Sequence, residues 1–372
     1  MIKLEAGKFI KQGGYKSFKQ EYLRRDWQIN DMQIISLLSK ADRFLGRLDM
    51  YSEYVDIDLF IQMHIAKEAT QSSKIEGTQT KVEEAFLDKS DVSIEKRDDW
   101  EEVHYYILAM NEAVDQLYRL PFSTRLIKLT HKILLQGVRG EHKQPGEFRK
   151  SQNWIGGASL SDAVFIPPVH PQIDNLMADL EKFANDANDH IPDLIKIALI
   201  HYQFETIHPF LDGNGRVWRL IITLYLVSKG ILKRPILYLS DFFEKNRTLY
   251  YDNLMRVRTH NDITQWLKFF LTGVIETAQK GVETLDATMQ LKKSIEEQLD
   301  TLGKRSADAR VLVNYLYKRP AFSASDAIVV LDRSPQTVYN LIGDLEKLNI
   351  VSEITGAQRN KIYLFEPYLK LF

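Results

Sequence analysis

The segment from His208 to Arg219, HPFLDGNGRVWR, gathers an imidazole, a carboxylate, two glycines, an asparagine and two guanidinium groups into twelve residues. An apolar, helix-like run from Asp193 to Thr206 precedes it and another from Val217 to Val227 follows, so the pattern predicts helix, tight loop, helix. Gly213 and Gly215 can take positive φ and let a ligand approach the backbone. The second helix then offers unpaired N–H groups and the positive end of its dipole, which together make an anion site. Arg216 and Arg219, three positions apart, are expected on one face where both reach that anion. Asp212 adjoins the loop, where a carboxylate and a phosphate oxygen could share Mg²⁺. His208 ordinarily titrates near neutrality, which suits it to take a proton from an attacking hydroxyl.

At these residues the chain resembles the Fic family, whose signature is His-x-Phe-x-Asp/Glu-Gly-Asn-Gly-Arg-x-x-Arg, and every fixed position is present. The resemblance implies a mainly helical domain that transfers AMP from ATP to a protein hydroxyl. It implies His208 as general base and Asp212 as the Mg²⁺ ligand. Gly213, Asn214 and Gly215 would cradle the α- and β-phosphates, Arg216 would bind phosphate, and Arg219 would grip the γ-phosphate. Fic proteins place adenine near the segment holding Tyr250, Tyr251 and Leu254, so the resemblance assigns those three to the base.

Ser72-Ser-Lys-Ile-Glu76-Gly77 would by itself be an ordinary helix end. Beside a Fic signature it matches the family's inhibitory motif, Ser/Thr-x-x-x-Glu-Gly/Asn. The resemblance implies that Glu76 pairs with Arg219 and puts a carboxylate where phosphate should go.

The elements that position these residues are helical for most of the chain. Residues 1 to about 30, interrupted by Gly13 and Gly14, read as an irregular arm. Apolar residues recur at helical spacing from Asp31 to about Phe86, and Val103 to Leu117 is a further helix. Ser123 caps an amphipathic helix. Between Gly146 and Pro171, Asn153 to Ser159 and Ala163 to Val169 read as two short strands around a polar turn. The resemblance makes this 153–168 hairpin a flap that aligns a target segment by strand addition. Phe242 to Arg258 and Ile263 to Glu276 read as two helices, and Thr277 to Leu302 as a separate charged connector. Beyond it, Ser323 and Ser334 cap two short helices, with Pro335 at the first helical position of the second. A closing hairpin makes residues 304–372 resemble a winged helix. Its recognition helix would present Gln336, Thr337, Tyr339 and Asn340, and its wing Arg359 and Lys361, a thin basic surface for DNA. The expected organisation is an N-terminal helical region (1–110) with the inhibitory helix, a Fic core (111–276), a linker helix (277–303) and the winged helix (304–372).

Composition bounds the rest. The chain has 372 residues, 44% hydrophobic and 27% charged, long enough for two or three buried cores. It has no cysteine, which excludes disulfides and thiolate metal sites. A net charge of −1 provides no global field to recruit nucleic acid. The first residues lack the apolar core of a signal peptide and no run could span a bilayer, so a cytoplasmic location without membrane contact is expected. The other histidines show no metal-ligand spacing, and His201 reads as structural. The expected activity is self-inhibited AMP transfer onto a Ser, Thr or Tyr of a target protein or of the chain itself, with ATP and Mg²⁺ as partners and a homodimer as one assembly. Two alternatives share the residues: removal of AMP using Glu76, and a nucleotide-sensing DNA-binding regulator.

Overall fold

The computed structural model describes residues 5–54, 57–137, 141–356 and 361–372. It is mainly helical. A hairpin, β1 (Gly7–Gln12) and β2 (Tyr15–Gln20), leads to α1 (Met32–Tyr54), α2 (Ile57–Ile75), α3 (Arg97–Leu117) and α4 (Thr124–Leu134). Next come α5 (Ile173–Asn185), α6 (Asp193–Ile207), α7 (Asn214–Ser228), α8 (Ser240–Lys245), α9 (Arg247–His260) and α10 (Ile263–Asp300). The chain closes with α11 (Ser306–Lys318), β3 (Ala321–Ser323), α12 (Ala324–Leu331), α13 (Pro335–Lys347), β4 (Ser352–Glu353), β5 (Ile362–Leu364) and α14 (Glu366–Leu369).

The hydrophobic pattern decides which helices lie at the centre. Every residue of α6 from Leu194 to Ile207 is buried, and α7 is buried from Arg216 to Leu226. A helix apolar on all sides must be wrapped by others. Accordingly α6 and α7 pack on each other, with α2, α3 and α4 against α7, and α5 and α10 against α6. The loop between α6 and α7 is therefore held from both ends by the core.

Residues 304–372 form a second core. Helices α11, α12 and α13 enclose Leu312, Leu316, Val338 and Leu341, and a three-stranded antiparallel sheet of order β3-β5-β4 closes one side. Ser323 caps α12 with Asp326 completing a capping box, and Ser334 caps α13 ahead of Pro335. This core does not stand apart: Phe60 and Met63 of α2 and Ile295 and Leu299 of α10 are buried within it. Phe60 meets the Tyr317 ring edge-on at 5.2 Å.

Three expectations are corrected. The N-terminal arm is not irregular throughout: residues 21–31 carry no helix or strand, but Gly13, at φ 49°, turns β1 into β2, and the Phe18 ring is fully buried against Phe9 and Phe165. Residues 277–303 are not a separate connector. No proline or capping residue interrupts the run after Glu276, so α10 continues from Ile263 to Asp300 and packs along α1, with Val282 and Leu285 in the main core. Gly281 permits that approach, since a Cβ there would lie 2.9 Å from Leu48. The flap is also less regular than two strands. Its limbs share one antiparallel bridge, Ile155 to Phe165, because Gly156 and Gly157 take φ of 68° and 77° and bend the first limb away. Among the proposed wing residues, Arg359 lies outside the described residues.

Candidate functional site

The loop leaves α6 through a residue that is not glycine. His208 sits in the left-handed region at φ 49°, ψ 61°, a conformation L residues adopt at a cost and keep where surroundings fix it. Here Arg149 supplies the fixing. Its guanidinium is buried with no carboxylate partner among the described residues and is spent on carbonyls: Nε donates to His208 at 2.9 Å, Nη1 to Ser151 at 2.9 Å and Nη2 to Pro168 at 2.6 Å. Asn153 adds donations from Nδ2 to His208 at 3.2 Å and Phe210 at 3.0 Å. The base of the flap and the start of the loop are thus one hydrogen-bonded unit.

His208 itself titrates far below its ordinary value. Burial, with the Arg149 and Arg258 charges adding repulsion, lowers its pKa to about 3, so the imidazole is neutral at physiological pH. Nδ1 has no hydrogen-bond partner among the described residues. A neutral imidazole keeps one ring nitrogen unprotonated, so the ring can accept a proton.

The turn into α7 is stapled from three sides. Asn214 accepts from the Phe210 N–H and donates to the Phe210 carbonyl, both at 2.9 Å. Its Oδ1 and one Nδ2 N–H are therefore committed to the loop, leaving the second Nδ2 N–H and the backbone N–H as donors for phosphate. His131, on α4, accepts the Gly146 N–H at Nδ1 (2.8 Å), which fixes the proton on Nε2 for donation to the Asp212 carbonyl at 3.0 Å. The same ring stacks on Phe210 at 3.7 Å. Gly213 takes φ 71° and begins the helix. The first intrahelical bond at this end is donated by Val217 to Gly213, which leaves the N–H groups of residues 214–216 available. Gly215 is helical rather than left-handed. Its missing Cβ provides room instead, since one there would collide with Glu76 Oε1 and lie 2.8 Å from Arg219.

The two arginines separate. Arg216 reaches α3, pairing with Glu102 at 2.8 Å, whereas Arg219 turns to α2. Arg219, almost wholly buried, donates Nε to Ser72 Oγ at 2.9 Å, Nη2 to the Ser72 carbonyl at 2.9 Å and Nη2 to Glu76 Oε1 at 2.6 Å. Burial by itself would raise the Glu76 pKa, but the Arg219 guanidinium overrides it and holds the carboxyl below its ordinary range. Gly77, at φ 111°, then turns the chain away from the end of α2. A carboxylate therefore lies over the open N-terminus of α7.

Asp212 is about half exposed, with Oδ1 accepting the Gly213 N–H at 2.6 Å. No cluster of three or more metal-binding side chains occurs among the described residues. A single carboxylate beside free backbone N–H groups fits Mg²⁺ shared with a ligand's phosphates, the usual way Mg²⁺ is held.

The expected adenine contacts divide. Tyr250 is a core residue: its hydroxyl bonds His201 Nε2 at 2.8 Å and its ring stacks on Phe243 at 4.6 Å. Leu254 is likewise buried, and Tyr251 alone of the three is exposed, at 37%. Sequence reading missed Arg149, Asn153 and His131, which lie 55 to 81 residues from their loop partners and carry no motif of their own.

Comparison with known proteins agrees with this arrangement. Residues 35–115 match the Fic/DOC family N-terminal domain and residues 121–226 the Fic/DOC family domain, together about half of the chain.

The chain belongs to the Fic family.

Among curated Fic relatives it is 28% identical over 215 residues to the protein adenylyltransferase Fic of Drosophila erecta, covering 55% of this chain and 38% of that protein. It is 28% identical over 184 residues to the Aedes aegypti protein of the same name, covering 49% of this chain and 33% of that one. The chain thus spans well under half the length of these relatives. In fold it resembles a Fic family protein from Desulfovibrio desulfuricans G20, with TM-score 0.57 at 19% identity over 91% of this chain and 97% of the other. A Fic domain containing signalling protein from Bacteroides thetaiotaomicron aligns with TM-score 0.51 at 18% identity over 68% of this chain and 97% of the other. Among the described residues no helix is long and apolar enough to cross a membrane.

Proposed function

We propose that this Fic chain is a self-inhibited protein adenylyltransferase. It moves AMP from ATP to a Ser, Thr or Tyr hydroxyl of a target protein, or of itself. The relatives named above as protein adenylyltransferases support the class of reaction. The observation that carries the reading is the neutral His208, with its unpartnered Nδ1, one loop before a helix N-terminus whose first N–H groups are unpaired.

In the proposed step the target oxygen attacks the α-phosphorus, the bond to the bridging oxygen of the β-phosphate breaks, and pyrophosphate leaves. The hydroxyl proton passes to the neutral His208 imidazole. The N–H groups of residues 214–216 and the α7 dipole receive the phosphate charge, and positioning of this kind supplies most of the acceleration in such reactions. Mg²⁺, when bound through Asp212, would neutralise phosphate charge. Arg219 grips the γ-phosphate once released from Glu76, and Tyr251 is the residue left to stack on adenine. The target lies along the flap, where exposed Trp154 and Val164 flank the Ile155–Phe165 bridge.

Residues 304–372 are proposed as a winged helix that docks protein rather than DNA. Arg305, Arg310, Arg319, Arg333 and Lys370 are each paired with a carboxylate, and the exposed face of α13 carries Gln336, Tyr339 and Asn340, which are neutral. A cytoplasmic setting and Mg²⁺ dependence belong to the same proposal.

The test uses α-labelled ATP, Mg²⁺ and cell lysate. A Glu76→Gly variant should label itself or a target, and adding His208→Ala should abolish the label. Equal labelling by both, or by neither, overturns the reading.

A further inference from the structure

Helix α2 presents a second charged site away from Arg219, at a cavity it encloses with α8 and α10. The cavity measures about 130 Å³, roughly ten times what one ordered water needs. Three lysines line it: Lys67 from α2, Lys245 from α8 and Lys280 from α10. Lys245 and Lys280 share one carboxylate, Asp241, at 2.9 and 3.0 Å. Lys67 forms no carboxylate ion pair among the described residues; it lies within hydrogen-bond reach of Lys280, and burial together with that like charge outweighs the attraction of Asp241 and lowers its pKa to about 8. Two like charges in a half-buried space repel unless an anion comes between them.

The floor of the cavity adds an independent sign. His64 is 9% exposed, lines the same space, and its Nε2 has no hydrogen-bond partner among the described residues. A buried polar nitrogen without a partner is costly, so such atoms usually mark a place that something else satisfies. His64 is held neutral by burial, its pKa lowered to about 3, so a neutral ring can offer an N–H without adding charge.

The opposing groups do not cancel the lysines. Asp241 is already divided between two of them. Glu276 lies at the exposed edge, and Glu68 is turned to the Tyr106 and Ser240 hydroxyls, its pKa raised to about 7 by burial.

We propose that this cavity is a binding site for a small phosphate-class oxyanion, held by Lys67, Lys245 and Lys280 with His64 Nε2–H at its floor. Inorganic phosphate, pyrophosphate and the terminal phosphates of a nucleotide share the chemistry the site would recognise. The site is separate from the α7 N-terminus and its existence does not depend on the proposed reaction.

Thermal unfolding of the full chain tests it, titrated with phosphate, with pyrophosphate and with ATP, each without Mg²⁺ and each against KCl at matched ionic strength. At least one of the anions should raise the melting temperature in a saturable way beyond KCl, and the one with the lowest half-saturation identifies the source. Arg219→Ala should retain that response. Lys67→Gln should remove it, and Lys245→Gln, at the exposed rim, should weaken half-saturation several-fold without harming the fold. No saturable rise with any of the three anions, a response unchanged in both lysine variants, or one lost in Arg219→Ala, overturns the proposal. Should Lys67→Gln fail to fold, the Lys245→Gln titration decides alone.

Discussion

The Glu76 carboxylate and the Arg219 guanidinium, 143 residues apart in the chain, meet at 2.6 Å over the first turn of α7. Arg219 is nearly inaccessible while Glu76 keeps about a third of its side-chain surface in solvent, so the pair is buried from one side only.

Glu76→Gly should therefore strand a buried guanidinium. Breaking a fully buried pair costs about 3–5 kcal/mol, and the partial exposure of Glu76 reduces that to roughly 1–2 kcal/mol. The variant should melt lower without ligand, gain more from ATP than wild type, and label faster. A tenfold gain in rate corresponds to about 1.4 kcal/mol of removed bias. Arg219→Ala should be inactive with or without Glu76. An unchanged labelling rate and unchanged ATP-dependent thermal shift in Glu76→Gly would reduce the contact to a helix-end ion pair.

Asp212→Ala should weaken nucleotide binding in the presence of Mg²⁺ more than in its absence, measured by titration calorimetry on one preparation. Its side chain is half exposed, accepts a local bond from Gly213 and meets Arg216 only at 4.0 Å, so thermal stability should hardly move. Equal losses under both conditions would remove Asp212 from the metal.

Arg149→Lys should be damaging despite the retained charge. An ammonium cannot reproduce the forked geometry that serves the carbonyls of His208, Ser151 and Pro168 at once. Each lost bond from a charged donor is worth about 1.5–3 kcal/mol, so urea denaturation should show a loss of at least about 2 kcal/mol. A near-neutral result would mean that the left-handed His208 needs no such support.

Stability should rise with pH between about 4.5 and 6.5. His64, His131, His201 and His208 have pKa values lowered chiefly by desolvation, His64 and His208 to about 3 and His131 to about 4, so in this window the unfolded chain binds protons that the folded chain does not. Glu68 and Glu205 act oppositely, since burial raises both to about 7 and the folded chain holds their protons. Four groups against two leave a net slope on the order of 2 kcal/mol per pH unit. Chemical denaturation at pH 4.5, 5.5 and 6.5 measures it, and a falling trend would show that the carboxyls dominate.

The helix–loop–helix was legible because an apolar run from Asp193 to Val227 is broken only by a polar, glycine-containing stretch. The Glu76 partnership was legible only through resemblance, as no local rule links residues so far apart. Periodicity misled where it was short: the alternation around Gly13 and Gly14 spans a few residues among many lysines, and its reason, Phe18 packing on Phe165, is tertiary. The break imposed after Glu276 followed a change in charge, whereas a helix ends at a cap or a proline, and neither occurs there. Arg149 and His131 escaped because their partners are backbone groups, which every residue possesses. The same logic misassigned Tyr250, whose neighbours His201 and Phe243 claim it for the core.

Helix α2 belongs to two interiors at once, with Phe60 and Met63 in the C-terminal core and Ile65, Ala69 and Ile75 in the main one. Withdrawing the whole helix would rupture both. Relief of the proposed inhibition would then be a local affair of its final turn, where Ser72, Glu76 and the pivot at Gly77 can part from Arg219 while the rest stays anchored. A shortened protein ending before residue 304 would bare Phe60, Met63, Ile295 and Leu299 to water, so the C-terminal module is a structural buttress of α2 as well as a docking candidate.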